Sequence, residues 1–181
     1  MRHAPLARHA LAVTLLPGTV TVLVPALIVG AGGGADLGWG LGGAGLGALI
    51  ALGAILAGGG LALWAWTVVL FARRGEGTLA PWDPTRRLVA AGPYRVVRNP
   101  MISGVAAILL GEAALLGSPG IALWAVAFPA LNHVYFVLFE EPGLERRFGD
   151  DYRAYRRAVP RWVPRRTASS PSQSRARGPL G

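Results

Sequence analysis

The sequence predicts an all-α integral membrane protein with about four transmembrane helices, a short C-terminal helical hairpin among them, and a cytoplasmic amphipathic helix. Three observations carry that prediction. Of 181 residues, 52% are hydrophobic and only 15% charged, against roughly 25% charged in an ordinary soluble domain. The apolar residues gather into runs long enough to cross a bilayer, which takes about 20 residues. The basic residues, all of them arginine, fall on one side of those runs. A net charge of +9 by itself fits a nucleic-acid binder, but a mean hydropathy of +0.44 and uninterrupted apolar sequence favour a membrane and no nucleic-acid partner. The absence of cysteine excludes a disulfide scaffold, a thiolate zinc site and a cysteine nucleophile. His3, His9 and His133 are too scattered for a metal cluster, so no metal is expected.

The first apolar run, residues 11–31, is charge-free and interrupted by Pro17 and Pro25, both tolerable where neighbouring helices satisfy the freed carbonyls. A signal peptide is the rival reading, but its apolar core spans only about 7–15 residues, so a retained helix is expected. The second run, residues 41–71, is too long for one span. Its Gly-rich start reads as loop or helix entry and its membrane portion as residues 46–70. Gly43 and Gly47 match the spacing of small residues that lets helices approach closely, and Trp64 and Trp66 suit an interfacial aromatic belt. The runs 101–117 and 121–139 are separated only by Ser118, Pro119 and Gly120, which implies an antiparallel hairpin. At about 1.5 Å per residue the first arm of that hairpin spans some 25 Å, marginal for a full crossing.

Every arginine lies in residues 2–8, 73–98 or 146–177, and the intervening loops, 32–40 and 118–120, hold none. The positive-inside rule makes the arginine side the cytoplasm and places both termini there, in a multi-pass protein of the cell membrane. Residues 1–72 thus form the N-terminal transmembrane helices and residues 73–166 a second unit of loop, hairpin and C-terminal helix. Residues 167–181, rich in Ser, Pro and Arg, read as a disordered tail.

Within the second unit, Pro81, Pro84 and Pro93 forbid a long helix over residues 75–100, while Trp82, Leu88, Val89, Tyr94, Val96 and Val97 give the segment reason to pack. Asn99-Pro100 opens the next helix with a favoured N-cap and Pro at N1. That helix start and Arg98 together offer either an anion site or a contact for lipid phosphate. Glu140 and Glu141 end the fourth run before Pro142-Gly143, which should break it. Acids at a helix C-terminus oppose the macrodipole, so both call for partners, either Arg95 or Arg98 or the polar groups of a ligand. Leu144, Phe148, Tyr152, Tyr155 and Val159 then recur at helical spacing among arginines, and Pro160 and Pro164 close that helix. Such a basic amphipathic helix adsorbs to anionic headgroups or covers a site. Glu112 and the pair Asn132-His133 are polar residues inside apolar runs, expected to reach water or to bond a neighbouring helix.

The succession of residues 86–104 (RRLVAAGPYRVVRNPMISG), a helical hairpin, and residues 140–164 (EEPGLERRFGDDYRAYRRAVPRWVP) resembles the isoprenylcysteine carboxyl methyltransferase family and its bacterial relatives. The phospholipid N-methyltransferases share that core. The family pattern runs G-x-Y-x-x-x-R-H-P-x-Y-x-G, a short hairpin, E-E-x-x-L, F-G-x-x-Y-x-x-Y and V-P-x-x-x-P, and the likeness covers about residues 79–165.

The resemblance implies an S-adenosylmethionine-dependent membrane methyltransferase, with the cofactor at the cytoplasmic face between loop, hairpin and C-terminal segment. Carried over by position, the cofactor-binding residues are Arg86, Arg87, Leu88, Val89, Tyr94, Asn99, Pro100, Met101, Ile102 and Glu140. Asn99 stands where the family has His, and Ile102 where it has Tyr. Phe136 stands where the isoprenylcysteine enzymes have an Arg for the substrate carboxylate, so an apolar or differently charged acceptor is as well accommodated. The implied partner is a lipophilic small molecule or a lipid, methylated on a carboxylate or an amine. The alternative is a non-catalytic membrane protein that keeps the fold and binds lipid or a partner protein.

Overall fold

The computed structural model describes residues 17–32, 36, 37, 39–74 and 88–164. Among these residues it is helical, with no strand. Helix α1, Val24–Gly30, follows a π-helical turn at Thr19–Leu23. The turn has a local cause. The Val24 N–H goes to the Thr19 carbonyl, and Pro25 has no N–H to offer the next carbonyl. Val20 is left without a helical donor, and its carbonyl accepts from Trp124 Nε1 at 3.1 Å. Residues 11–16 of the expected first span, and the tail at 167–181, lie outside the described residues.

Helix α2, Gly43–Arg74, runs for 32 residues, and α3, Pro100–Leu116, packs along it. The contact is made backbone to backbone. A Cβ added to Gly60 would stand 2.6 Å from the Gly104 carbonyl oxygen, and one on Gly111 would stand 2.6 Å from the Ala57 nitrogen. Gly53, Ala57, Gly60 and Trp64 share one helical face, and Gly104 and Gly111 present the matching face of α3. Such close approach raises the number of dispersion contacts, the main attraction available between helices in lipid. The expectation for Gly43 and Gly47 is corrected here. Neither has an atom within 4 Å of an added Cβ, because they lie before the stretch of α2 that meets α3.

Gly117, in the left-handed region at φ 59°, ends α3, and Ser118 caps α4, Pro119–Tyr135, by accepting from Ile121 N at 3.3 Å. The hairpin read from residues 118–120 therefore forms. Asp36 N donates to the Gly117 carbonyl at 3.3 Å, and Trp39 Nε1 donates to the Ala113 carbonyl at 3.2 Å, so the connection after α1 covers the hairpin turn. Leu109, Val105 and Ala125 form the buried centre, flanked by Trp64, Trp124 and Phe128.

Pro142-Gly143 do not break the chain as expected. A second π-helical turn, Phe136–Glu140, leads directly into α5, Glu141–Ala158. Pro142 falls in the first turn of α5, where a missing N–H costs little, and the wide turn ahead makes room for its ring. Glu140 and Glu141 consequently stand at the start of a helix, not at the end of one. The chain instead bends at Gly149, whose φ of 54° and ψ of −126° suit glycine alone.

Two stretches, Gly43–Phe71 and Pro119–Ala158, are long and apolar enough to cross a membrane, with hydropathies of 2.2 and 1.7 and only 11% of each apolar window buried in the protein. In the second, the apolar part ends at Phe139. Ile55, Leu61, Leu123 and Leu131 point outward, an extent of apolar surface that fits lipid and not water. Thr19–Gly30 and Pro100–Leu116 are apolar but shorter.

The glycine contact makes a paired prediction. Gly111→Ala must push α3 from α2 and should cost ~1–3 kcal/mol, the usual range for overpacking. Gly58→Ala, which meets nothing within 4 Å, should be neutral or stabilise by up to ~1 kcal/mol through helix propensity. Thermal unfolding in detergent micelles measures both.

Candidate active site

The site forms where α2 ends, α3 begins and α4 passes into α5. Residues 88–99 return the chain from α2 to α3 in close packing, with Val89, Tyr94 and Val97 buried. A 3-10 turn at Gly92–Arg95 sets the course. Gly92 adopts φ 54°, and a side chain there would press within 3.2 Å of Leu70 Cδ2. The Tyr94 ring packs on Phe71 at 5.8 Å between centroids, and the Tyr94 carbonyl accepts from the Tyr155 hydroxyl at 2.7 Å. Burial holds the Tyr94 phenol well above its ordinary pKa, and charge on Tyr155 and Glu140 acts in the same direction. Tyr94 is therefore a neutral group able to donate or accept.

Behind the loop lies a strap, residues 159–164. Arg98 N donates to the Pro160 carbonyl at 2.9 Å and Asn99 N to the Arg161 carbonyl at 3.4 Å. One carboxylate oxygen joins both sides. Glu141 Oε1 accepts from Arg98 Nη1 at 2.5 Å and from Arg161 Nε and Nη2 at 3.0 and 2.8 Å. The Arg98, Glu141 and Arg161 side chains are only 12%, 11% and 20% exposed. The pairing of Glu141 with Arg98 was one of the partners expected for the two acids. Arg161 was not singled out from sequence, although it lies in the closing V-P-x-x-x-P segment. Trp162 Nε1 donates to His133 Nδ1 at 3.0 Å, and its ring backs Phe136 at 6.2 Å.

These elements enclose a cavity of about 90 Å³. Of the residues anticipated for a cofactor, Leu88, Val89, Tyr94, Asn99 and Glu140 line it. Pro100, Met101 and Ile102 do not, since the first turn of α3 carries them away from it. Arg86 and Arg87 lie outside the described residues. The remaining lining includes Phe71 and Phe136 together with Arg98 and Glu141. It also includes Leu144, Phe148, Tyr152 and Tyr155, the periodic apolar face of α5. Asn99 occupies the N-cap position but makes no side-chain capping bond, contrary to expectation, and it lines the cavity. Among the described residues Glu140 has no hydrogen-bond or ion-pair partner.

Other polar residues lie elsewhere. Asn132 bonds its own helix, Nδ2 to the Phe128 carbonyl at 2.8 Å, and not a neighbouring one. Glu112 keeps one buried oxygen without a partner and does not line the cavity. Arg153 and Arg156 pair with Glu145, and Arg153 also with Asp150, so the basic face of α5 is partly neutralised.

The two adjacent acids should respond oppositely to loss of charge. Glu141→Gln leaves two guanidiniums without their shared anion and should cost ~3–5 kcal/mol, as breaking a buried pair does. Glu140→Gln removes a partly buried, unpartnered carboxylate and should leave stability unchanged or raised. Chemical denaturation in detergent distinguishes them.

A family model described as phospholipid methyltransferase matches residues 48–151. No curated protein and no solved structure matches the chain. The matched region runs from α2, which carries no diagnostic motif, through the return loop and hairpin into α5. It covers more than half of the chain and every cavity-lining residue except Tyr152 and Tyr155, and on that match the chain belongs to the phospholipid methyltransferase family.

Proposed function

We propose that the protein is a multi-pass membrane methyltransferase that uses S-adenosylmethionine to methylate a lipophilic acceptor, a lipid or a carboxylate-bearing compound of prenyl type. The family carries the reaction class. The observation that carries the site is the unpartnered Glu140 carboxylate on a cavity wall where loop, hairpin and α5 meet. A buried carboxylate costs free energy unless something bonds it, and a ligand with hydroxyl or amino donors would do so.

The donor set suits the cofactor. Glu140 and Asn99 face its polar groups, Tyr94 adds a neutral hydroxyl, and Leu88, Val89 and Phe148 offer apolar contact to a flat base. Arg86 and Arg87 would border it from the preceding segment, while Pro100, Met101 and Ile102 would act indirectly by fixing the start of α3. A volume near 90 Å³ is below the ~300–1,000 Å³ typical of ligand pockets, so binding requires the walls to separate. The sulfonium donor supplies an already activated methyl group. The residues therefore need only bind, orient and exclude water, which can lower a barrier by several kcal/mol. A carboxylate acceptor needs no base; an ammonium acceptor must first lose its proton.

In the same reading, residues 11–31, which include α1, together with α2, α3 and α4 make four crossings. The arginine-bearing end, with the cavity, faces the cytoplasm along with both termini, and α5 lies at the headgroup level. Residues 1–72 then act as anchor, 73–166 as the catalytic unit and 167–181 as a tail.

Isothermal titration with S-adenosylhomocysteine in detergent tests this. Wild-type protein should bind, and Glu140→Gln should bind about tenfold or more weakly, the worth of one charged hydrogen bond. Absence of binding to folded protein at millimolar ligand would overturn the reading.

A further inference from the structure

The charges around Glu141 do not balance. Two guanidiniums, Arg98 and Arg161, converge on a single oxygen of one carboxylate, and all three side chains are largely buried. The group therefore carries one positive charge in excess. Glu140, the other acid on the cavity, does not offset it by contact, because it pairs with neither arginine among the described residues. A surplus charge away from water is costly unless an anion meets it. Arg98 also has an unspent donor. Its Nη1 is engaged with Glu141, whereas its Nε is buried without a partner. The arginine lines the cavity beside Asn99 and Tyr152. Arg161 does not line it; it reaches Glu141 from the strap and shares the load on that carboxylate.

We propose that the Arg98 side of the cavity is a subsite for a singly anionic oxyacid group, a carboxylate or a phosphodiester, with Arg98 as the contact. Glu141 and Arg161 are positioning residues. Glu141 fixes the guanidinium, and Arg161 supplies the second positive charge that keeps Glu141 from neutralising the first. The subsite and Glu140 then give the cavity two poles of opposite sign, which fits a ligand carrying an anion at one end and hydroxyl or amino donors at the other. This rests on the methyltransferase reading for the location of the ligand. The anion has two sources, the amino-acid end of the cofactor or the headgroup of a lipid acceptor.

The test uses the full chain in detergent and reads the ratio of affinities within two probe pairs. The first pair is S-adenosylhomocysteine and its decarboxylated analogue. The second is a short-chain phosphatidylethanolamine and the corresponding neutral diacylglycerol. Wild-type protein should prefer the member that carries the carboxylate or phosphodiester, in at least one pair, by about tenfold or more, the worth of a charged hydrogen bond. The pair showing the preference names the source. Arg98→Gln should bring that ratio close to one, Arg98→Lys should keep part of it, and Arg161→Gln should lower it while Arg98 remains in place. Circular dichroism and thermal midpoints establish that each variant is folded. Should Arg98→Gln fail to fold, Arg98→Lys and Arg161→Gln carry the test alone. No preference in wild type for either pair, or a preference unchanged in the folded variants, overturns the subsite. Binding of S-adenosylhomocysteine with no anion preference in either pair overturns the subsite alone, whereas absence of S-adenosylhomocysteine binding overturns the cofactor reading and leaves the lipid pair to decide the subsite.

Discussion

The arrangement of the site depends on one carboxylate. Glu141 stands at the start of α5 and draws Arg98 from the return loop and Arg161 from the strap onto the same oxygen. Three pieces of chain distant in sequence are thereby fixed to one another. The backbone pairs Arg98–Pro160 and Asn99–Arg161 complete the junction. If Glu141 were elsewhere, neither the loop carrying Tyr94 and Asn99 nor the helix carrying Tyr152 and Tyr155 would have a common reference point, and the cavity between them would lose its shape. The neighbouring Glu140 takes no part in this junction and lines the cavity instead.

That junction is useful only because the membrane part beneath it is stiff. α2 and α3 meet through glycines closely enough that an added methyl group would collide with backbone. α3 cannot slide or roll on such a contact without losing it. The start of α3, and with it Asn99 and Arg98, is therefore held at a fixed height relative to Phe71 and Leu70 at the end of α2. The two π-helical turns serve the same geometry. Each accommodates a proline, and the second turns the end of α4 so that Phe136, Glu140 and Glu141 all face the cavity.

Much of this was legible in the sequence. The apolar runs and the Ser118-Pro119-Gly120 turn foretell the helices and the hairpin because each depends on local composition. Leu88, Val89, Tyr94, Asn99 and Glu140 could be named as cavity residues through a motif resemblance. What was not legible depended on packing. In a chain with 26 glycines, spacing alone cannot say which pair meets a neighbour, and Gly43 and Gly47 satisfied the pattern without making the contact. Pro142-Gly143 reads as a break because the cost of proline is local, while the π-helical turn that absorbs it is set by the helix as a whole. Arg161 escaped notice because one arginine among 18 basic residues has no sequence signal for burial.

Under the proposed function, the cavity beside Glu140 is where a methyl group passes from a sulfonium donor to a lipophilic acceptor. The most direct measurement is transfer of radiolabelled methyl from S-adenosylmethionine, by protein reconstituted in vesicles with a total lipid extract, followed by organic extraction. Label is expected in the organic phase, dependent on protein and reduced about tenfold in Glu140→Gln at sub-saturating cofactor. Label absent from the organic phase with folded, cofactor-binding protein would contradict it.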